Sequence, residues 1–364
     1  MEQAEVQIRT ASVRSRSRNL APSPFATAWT AAVINYNGGK LLCDTVASIK
    51  QMEDQPLEVL VVDDGSTDDS LEILRRYHPD VRIVTLQHCG RPNAVRNAAL
   101  QASRHRYVLL SDNDIRFAPD ALRQLMRVLR QLSDAALCTP LIVSQEDQSE
   151  VLARSRPLHY VCWATAVEPR FVDQAMAAGL QKGVGCGIQL VDMERIAAVG
   201  TFDEELAFGW SDAELHLRLT IAGWSCYVVP TAHIYHQRAR TSARAYGQFH
   251  NRWYIMLESY QLRTLALIAP PLLFFELLLL AYALRSGVGR EYLRAYRDIF
   301  RELGEIRRKR REIQRSRKVP DREILCAADL ELPRYLQSNG LLVRSVRFLS
   351  SAFRGYWKIV RPLL

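Results

Sequence analysis

From Thr30 onward the chain alternates two hydrophobic rhythms. Short apolar runs, "AAVIN" (31–35), "EVLVV" (58–62), "VRIVTL" (81–86) and "YVLL" (107–110), have the length and branching of strands buried on both faces. Between them, apolar positions recur at helical spacing: Leu41, Leu42, Val46 and Ile49, then "STDDSLEILRRY", which Ser66 or Thr67 is expected to cap, then "NAVRNAALQA". Pro119 opens a further helix with Leu122, Leu125 and Leu129 on one face. Alternation at this spacing needs crossover connections, so the pattern predicts an α/β fold with a doubly wound, mostly parallel sheet.

Regularity lapses over 144–180, read here as a variable, substrate-specific region, and resumes at "GVGCGIQLVDMERIAAVG". "SDAELHLRLTIAGW" (211–224) predicts a helix capped by Ser211 and closed by Gly223, and "SCYVVP" a strand ending at Pro230. After a helix over 238–261 comes "TLALIAPPLLFFELLLLAYAL" (264–284). It just reaches the ~20 residues needed to cross a bilayer core. Pro270, Pro271 and Glu276 inside it favour a broken or re-entrant, interfacial segment over a straight span or a soluble core helix. The expected organisation is a basic tail (1–28), a sheet domain (29–240) and a helical carboxyl-terminal region (241–364).

Charge changes this picture by where it sits. The net charge is +9, of which residues 1–20 supply +2 and 301–320 supply +6, leaving a nearly neutral body. The basic run 307–318 beside an apolar segment suits an anionic membrane surface at least as well as nucleic acid, and we expect the membrane surface. Localisation is then expected at the cytoplasmic face, peripheral or re-entrant. Seven cysteines without a CxxC pair point to reduced thiols, with neither a structural zinc nor disulfides. The first residues lack the apolar core of a signal peptide; they read as a disordered tail with a faint transit-peptide character.

The polar clusters gather where strands end. "NYNGG" (35–39), "DDGS" (63–66), "HCGRPNAVRN" (88–97) and "SDND" (111–114) all follow predicted strands, at the sheet edge where α/β proteins collect ligands. Asp112 and Asp114 place two like charges side by side, a conflict that a cation relieves. Asp63 and Asp64 suit hydrogen bonds from a nucleobase N–H or a ribose hydroxyl rather than phosphate. No GxGxxG follows the first strand, which disfavours a dehydrogenase, and no glycine-rich, lysine-containing loop supports a nucleotidyltransferase.

"VINYNGGK", "VLVVDDGSTDDS", "GRPNAVRNAAL", "LLSDNDIRFAPDAL", "GTFDEELAFGWSDAELHLRL" and "PTAHIYHQ" stand in the order and spacing of the family 2 glycosyltransferases, and over residues 30–240 the chain resembles that family. The last third is similar to the membrane-associated tails of some bacterial members. The resemblance implies a GT-A fold and inverting transfer from a nucleotide-diphospho sugar to a glycan or lipid-linked acceptor. It implies that Asp63 and Asp64 hold the nucleoside, that Asn35 and Asn37 wall its pocket, and that Arg96, in an "RN" pair with Asn97, lies near the diphosphate. Asp112 and Asp114 match a DxD motif, implying Mg or Mn bridging the donor phosphates, with His236 as a further ligand beside an ordinary His233. Asp212 matches the general base of an "ED" motif whose Glu is here Ser211. Glu214 is the rival base, or else an intrahelical partner of Arg218. Trp210 and Phe208 would line the acceptor side or simply pack, and Gly183, Gly185 and Gly187 would admit the donor sugar. Ser211 also leaves open a catalytically degenerate membrane-bound binding protein.

Overall fold

The computed structural model describes residues 28–153, 158–163, 171–206, 209–236, 245–330 and 340–364. Phe208 lies outside them. The strands are β1 (Trp29–Asn35), β2 (Glu58–Asp63), β3 (Arg82–Thr85), β4 (Tyr107–Ser111), β5 (Ile115–Phe117), β6 (Ala135–Val143), β7 (Val151–Ala153), β8 (Leu158–His159), β9 (Gln181–Lys182), β10 (Gln189–Asp192), β11 (Ser225–His236) and β12 (Leu325–Cys326). The helices are α1 (Lys40–Lys50), α2 (Ser70–Tyr77), α3 (Pro92–Ala102), α4 (Ala121–Gln131), α5 (Val172–Ala178), α6 (Met193–Ile196), α7 (Ser211–Ile221), α8 (Ala245–Ser259), α9 (Leu262–Arg285), α10 (Gly289–Ser316), α11 (Asp321–Ile324) and α12 (Gly340–Val360).

The main sheet runs β3-β2-β1-β4-β10-β6-β11-β5. Pairing is parallel across β3, β2, β1 and β4 and between β6 and β11, while β10 runs antiparallel to both neighbours and β5 antiparallel to β11. Period-two alternation with helices on both faces explains why the central strands β1, β2 and β4 are mostly apolar. Val33, Val61 and Leu109 face the layer of α1 and α4, while Ala32, Leu60, Val62, Val108 and Leu110 face the layer of α3 and α7. Register sets Asn35 opposite Asp63 and Asp63 opposite Thr85, so the strands end level and their polar clusters share one edge.

Several local expectations fail for physical reasons. Helix α2 begins at Ser70, because the Ser66 hydroxyl is spent on Asp63 and the Asp68 carboxylate takes the Ser70 N–H at 3.1 Å. Ser211 is the first helical residue of α7 and gives no side-chain cap; the turn before it uses Gly209 and Trp210 at positive φ, while Gly223 closes the helix as expected. Strand β11 does not stop at Pro230. It bulges between Val229 and His233, which accommodates a residue without an N–H, and continues to His236. Fully buried β6 and short β5 were not foreseen.

The carboxyl-terminal helices form a second core, and α7 belongs to both. Leu215 and Leu219 face the sheet, whereas Leu217 and Ile221 face the cluster that contains Phe249, Tyr254 and Ile306. Contrary to expectation, α9 is one continuous helix through Pro270 and Pro271. Its packing stripe of Ile268, Leu272, Phe275, Leu279 and Ala283 offsets the ~3 kcal/mol that each interior proline costs.

Candidate active site

Two acidic clusters stand at the shared sheet edge, and they are built differently. At the end of β2, Asp63 is wholly enclosed. Its carboxylate accepts from Asn35 Nδ2 (2.7 Å), Ser66 N (2.8 Å) and Ser66 Oγ (2.6 Å). The Asp64 carboxylate accepts from the amides of Cys89 and Gly90, at 2.9 and 3.0 Å, and lies 3.0 Å from His88 Nδ1. Gly65, at φ +69°, makes this turn possible: a Cβ there would lie 2.9 Å from His88 N. Asn37 Oδ1 accepts from Thr67 N, and Asn35 Oδ1 accepts from Asn113 Nδ2 at 2.7 Å. The side chains of Asn35, Asn37 and Asp63 thus stitch the ends of β1, β2 and β4 together. Half-exposed Tyr36 stacks on His88 with ring centroids 4.2 Å apart, giving an aromatic surface at the same edge.

The end of β4 is more open, at Asp112. Asp112 keeps 35% of its side chain exposed and faces Arg96 Nη2 at 3.6 Å. Asp114 Oδ1 lies 3.7 Å from Nε2 of His236, delivered by the far end of β11 through pairing with β5. His236 Nδ1 is buried with no hydrogen-bond partner, whereas His233 simply bonds the Pro230 carbonyl. Carboxylate oxygens with the Nε2 of an imidazole beside them make a donor set that fits a hard or borderline divalent cation. Among the described residues no three such side chains are already gathered into a metal cage.

Arg96 is the hinge of the arrangement. It is buried, with its guanidinium over the Phe202 ring, and Nη1 donates to Asn93 Oδ1 at 3.1 Å. Asn93 Nδ2 in turn donates to the Ser211 carbonyl at 3.0 Å. One turn of α3 therefore links Asp112 to the amino end of α7, where Asp212 accepts from Ala213 N. Asn93 was missed by sequence reasoning, although its place three residues before Arg96 was a usable signal. Asn97 is structural: it clamps the loop through Phe202 and Glu204. Gly187 makes room for Arg96 rather than for a ligand, since a Cβ would sit 2.6 Å from Nη2, and Gly185 packs against Thr139.

Behind Asp212, Glu214 is buried and bound to Arg218, which also donates to the Val199 and Thr201 carbonyls. The intrahelical pair is the arrangement found. His216, one turn beyond Asp212, accepts from Gly185 N at 2.9 Å and meets Gln189 Oε1 at 2.6 Å, which requires the proton on Nε2. Burial pushes its pKa down to about 4, with the positive charge of Arg96 acting in the same direction and Asp212 opposing. Trp210 Nε1 donates to Gln248 Oε1 of α8 at 2.7 Å, tying the turn before α7 to the carboxyl-terminal helices.

Residues 30–184 match the model of the family described as glycosyl transferase family 2. The chain carries a family 2 glycosyltransferase domain. An N-acetylglucosaminyl-diphospho-decaprenol L-rhamnosyltransferase of Mycobacterium tuberculosis is 25% identical over 237 residues, covering 58% of this chain and 76% of the relative. The succinoglycan biosynthesis protein ExoO of Rhizobium meliloti is 26% identical, covering 59% and 62%. Among solved structures, GalNAc-T7 with UDP, GalNAc and Mn2+ superposes with a TM-score of 0.56 at 14% identity, over 69% of this chain and 52% of that one. That likeness concerns the fold, which is of the GT-A type, and spans about half of the solved chain.

Proposed function

We propose that the transferase moves a sugar, with inversion, from a nucleotide-diphospho sugar to a hydroxyl of a glycan or lipid-linked acceptor, and that it needs a divalent metal. The observation that carries this reading is the continuous link from Asp112 through Arg96 and Asn93 to Ser211, which joins the acidic end of β4 to the helix bearing Asp212.

Asp112, Asp114 and His236 would hold Mg or Mn. Such ions use one or two carboxylates and complete their shell with substrate phosphates, in keeping with a donor set that is not a closed cage. When bound, the metal would neutralise charge on the departing nucleoside diphosphate. Arg96 adds a fixed cation beside it. The Tyr36–His88 stack would receive the nucleoside, while Asp63, Asp64, Asn35 and Asn37 hold the loops that frame it. Asp212 would take the proton from the acceptor hydroxyl as its oxygen attacks the anomeric carbon opposite the leaving diphosphate. Trp210, pinned by Gln248, would line the acceptor side.

The acceptor named for the mycobacterial relative is lipid-linked, which supports an acceptor presented at the cytoplasmic face of a membrane. The test is hydrolysis of UDP-, dTDP- and GDP-sugars with and without Mn2+, in the native chain and in Asp114→Ala. We expect turnover of one of these donors that requires the metal and falls at least 10²-fold in the variant. Turnover indifferent to both would refute the proposal, and no turnover with tight nucleotide binding would favour the degenerate binding protein.

A further inference from the structure

Part of the basic run 307–318 is committed to partners within the protein, while Arg307, Arg311, Arg315 and Lys318 stand exposed. Lys309 pairs with Asp203 and Tyr254, while Arg310 and Arg317 donate to carbonyls of α8. An exposed apolar face lies on α9. Its outer face presents Leu273, Phe274, Leu277, Leu278, Tyr282 and Leu284, all exposed, and extends over ~17 Å of helix. Its inner face is fastened: Glu276 pairs with buried Arg252 and accepts from Tyr296, and Phe275 packs on Phe353 of α12. A helix so attached along its length cannot leave the bundle to cross a bilayer without stripping Arg252 of its partner.

Helix α12 runs beside it, with Tyr356 donating to the Leu267 carbonyl at 2.6 Å. Residues 340–364 hold five Lys or Arg and no Asp or Glu. Exposed Phe348 and Ile359 stand among exposed Arg344, Arg347, Lys358 and Arg361. An apolar face flanked by a helix whose own charges are all positive is complementary to an anionic lipid surface rather than to a neutral one. We propose that α9 lies in the plane of the membrane interface, apolar face inward, with α12 supplying the contacts to anionic headgroups. This deepens the reading of a membrane-presented acceptor, but its geometry does not depend on catalysis.

The test is co-sedimentation of the full chain with vesicles of phosphatidylcholine alone and with 30% phosphatidylglycerol, donor hydrolysis being followed in parallel. We expect at least tenfold stronger partition into the anionic vesicles. Leu273→Glu with Leu277→Glu should lower partition into both at least tenfold, and Arg344→Glu with Arg347→Glu should abolish only the anionic preference. Donor hydrolysis should persist in both, so failure of docking and failure of the transferase reading are separable; Leu57→Glu, at another exposed apolar site, should change nothing. Two results would overturn the proposal without recourse to variants: a native chain that stays in the supernatant, or one that alkaline carbonate fails to release from vesicles, the mark of a span. A dimer converted to monomer by the Leu273 and Leu277 changes would instead assign the face to a second copy of the chain.

Discussion

The ends of β2 and β4 each present two aspartates at the same sheet edge, and the two pairs do opposite work. Asp63 and Asp64 are buried and accept from Asn35, Ser66 and the amides of Cys89 and Gly90; Asp112 keeps 35% of its side chain exposed beside Arg96, and Asp114 lies 3.7 Å from His236. Carboxylates satisfied by fixed amides build a frame, because taking them away orphans buried donors. A carboxylate that keeps exposed surface beside a buried cation, as Asp112 does, is accessible to a ligand. Identical residue types at equivalent strand ends thus diverge through what surrounds them.

Substitutions can break this contrast, beginning with the largest effect. Asp212→Asn, which keeps shape and removes the base, should lower kcat by roughly 10²–10⁴-fold with little change in donor affinity; steady-state kinetics against a fixed acceptor would check it. An unchanged kcat would move the base elsewhere. Next, Asp63→Ala leaves the donors of Asn35 and Ser66 unsatisfied and should cost about 2–4 kcal/mol in chemical denaturation. Asp112→Ala, at a partly exposed position, should cost under about 1 kcal/mol while abolishing metal-dependent turnover. Equal stability losses would erase the distinction between frame and site.

The smallest effect concerns acidity. Burial holds His216 at about 4, and burial together with Arg252 holds His159 at about 3, both below the ordinary 6.5. The unfolded chain therefore takes up protons first. Stability is full above about pH 7 and declines as pH falls through 6.5, the decline for His216 levelling near 4. At pH 5.5 each imidazole should cost about 1.4 kcal/mol. Thermal melts at pH 7.5 and 5.5 should diverge, and His216→Gln should narrow the gap. A gap left intact in that variant would place the acid sensitivity elsewhere.

Strands buried on both faces were legible because alternation is a local property, and so were the helices between them and the polar edge they create. The strand after α4 escaped notice since Pro140 interrupts an otherwise plain apolar run, although at Pro140 β6 pairs with Val229 of β11 on one side of the sheet. The pairing of Glu214 with Arg218 was readable from spacing alone. What no local pattern revealed was commitment: that Asp63 serves Ser66 and Asn35, that Asn93 bridges to Ser211, and that Lys309 of the basic run serves Asp203. Apart from Ser66, those partners lie far away in sequence, and only the assembled edge brings them together.

The account turns on a divalent ion held at the end of β4. Electron paramagnetic resonance of Mn2+ titrated with the protein and UDP, for the native chain and Asp114→Ala, tests this most directly. The account predicts loss of the free-ion signal at one equivalent of native protein and at least a 30-fold weaker effect in the variant. A signal that stays free with the native chain, or is quenched equally by both, would contradict it.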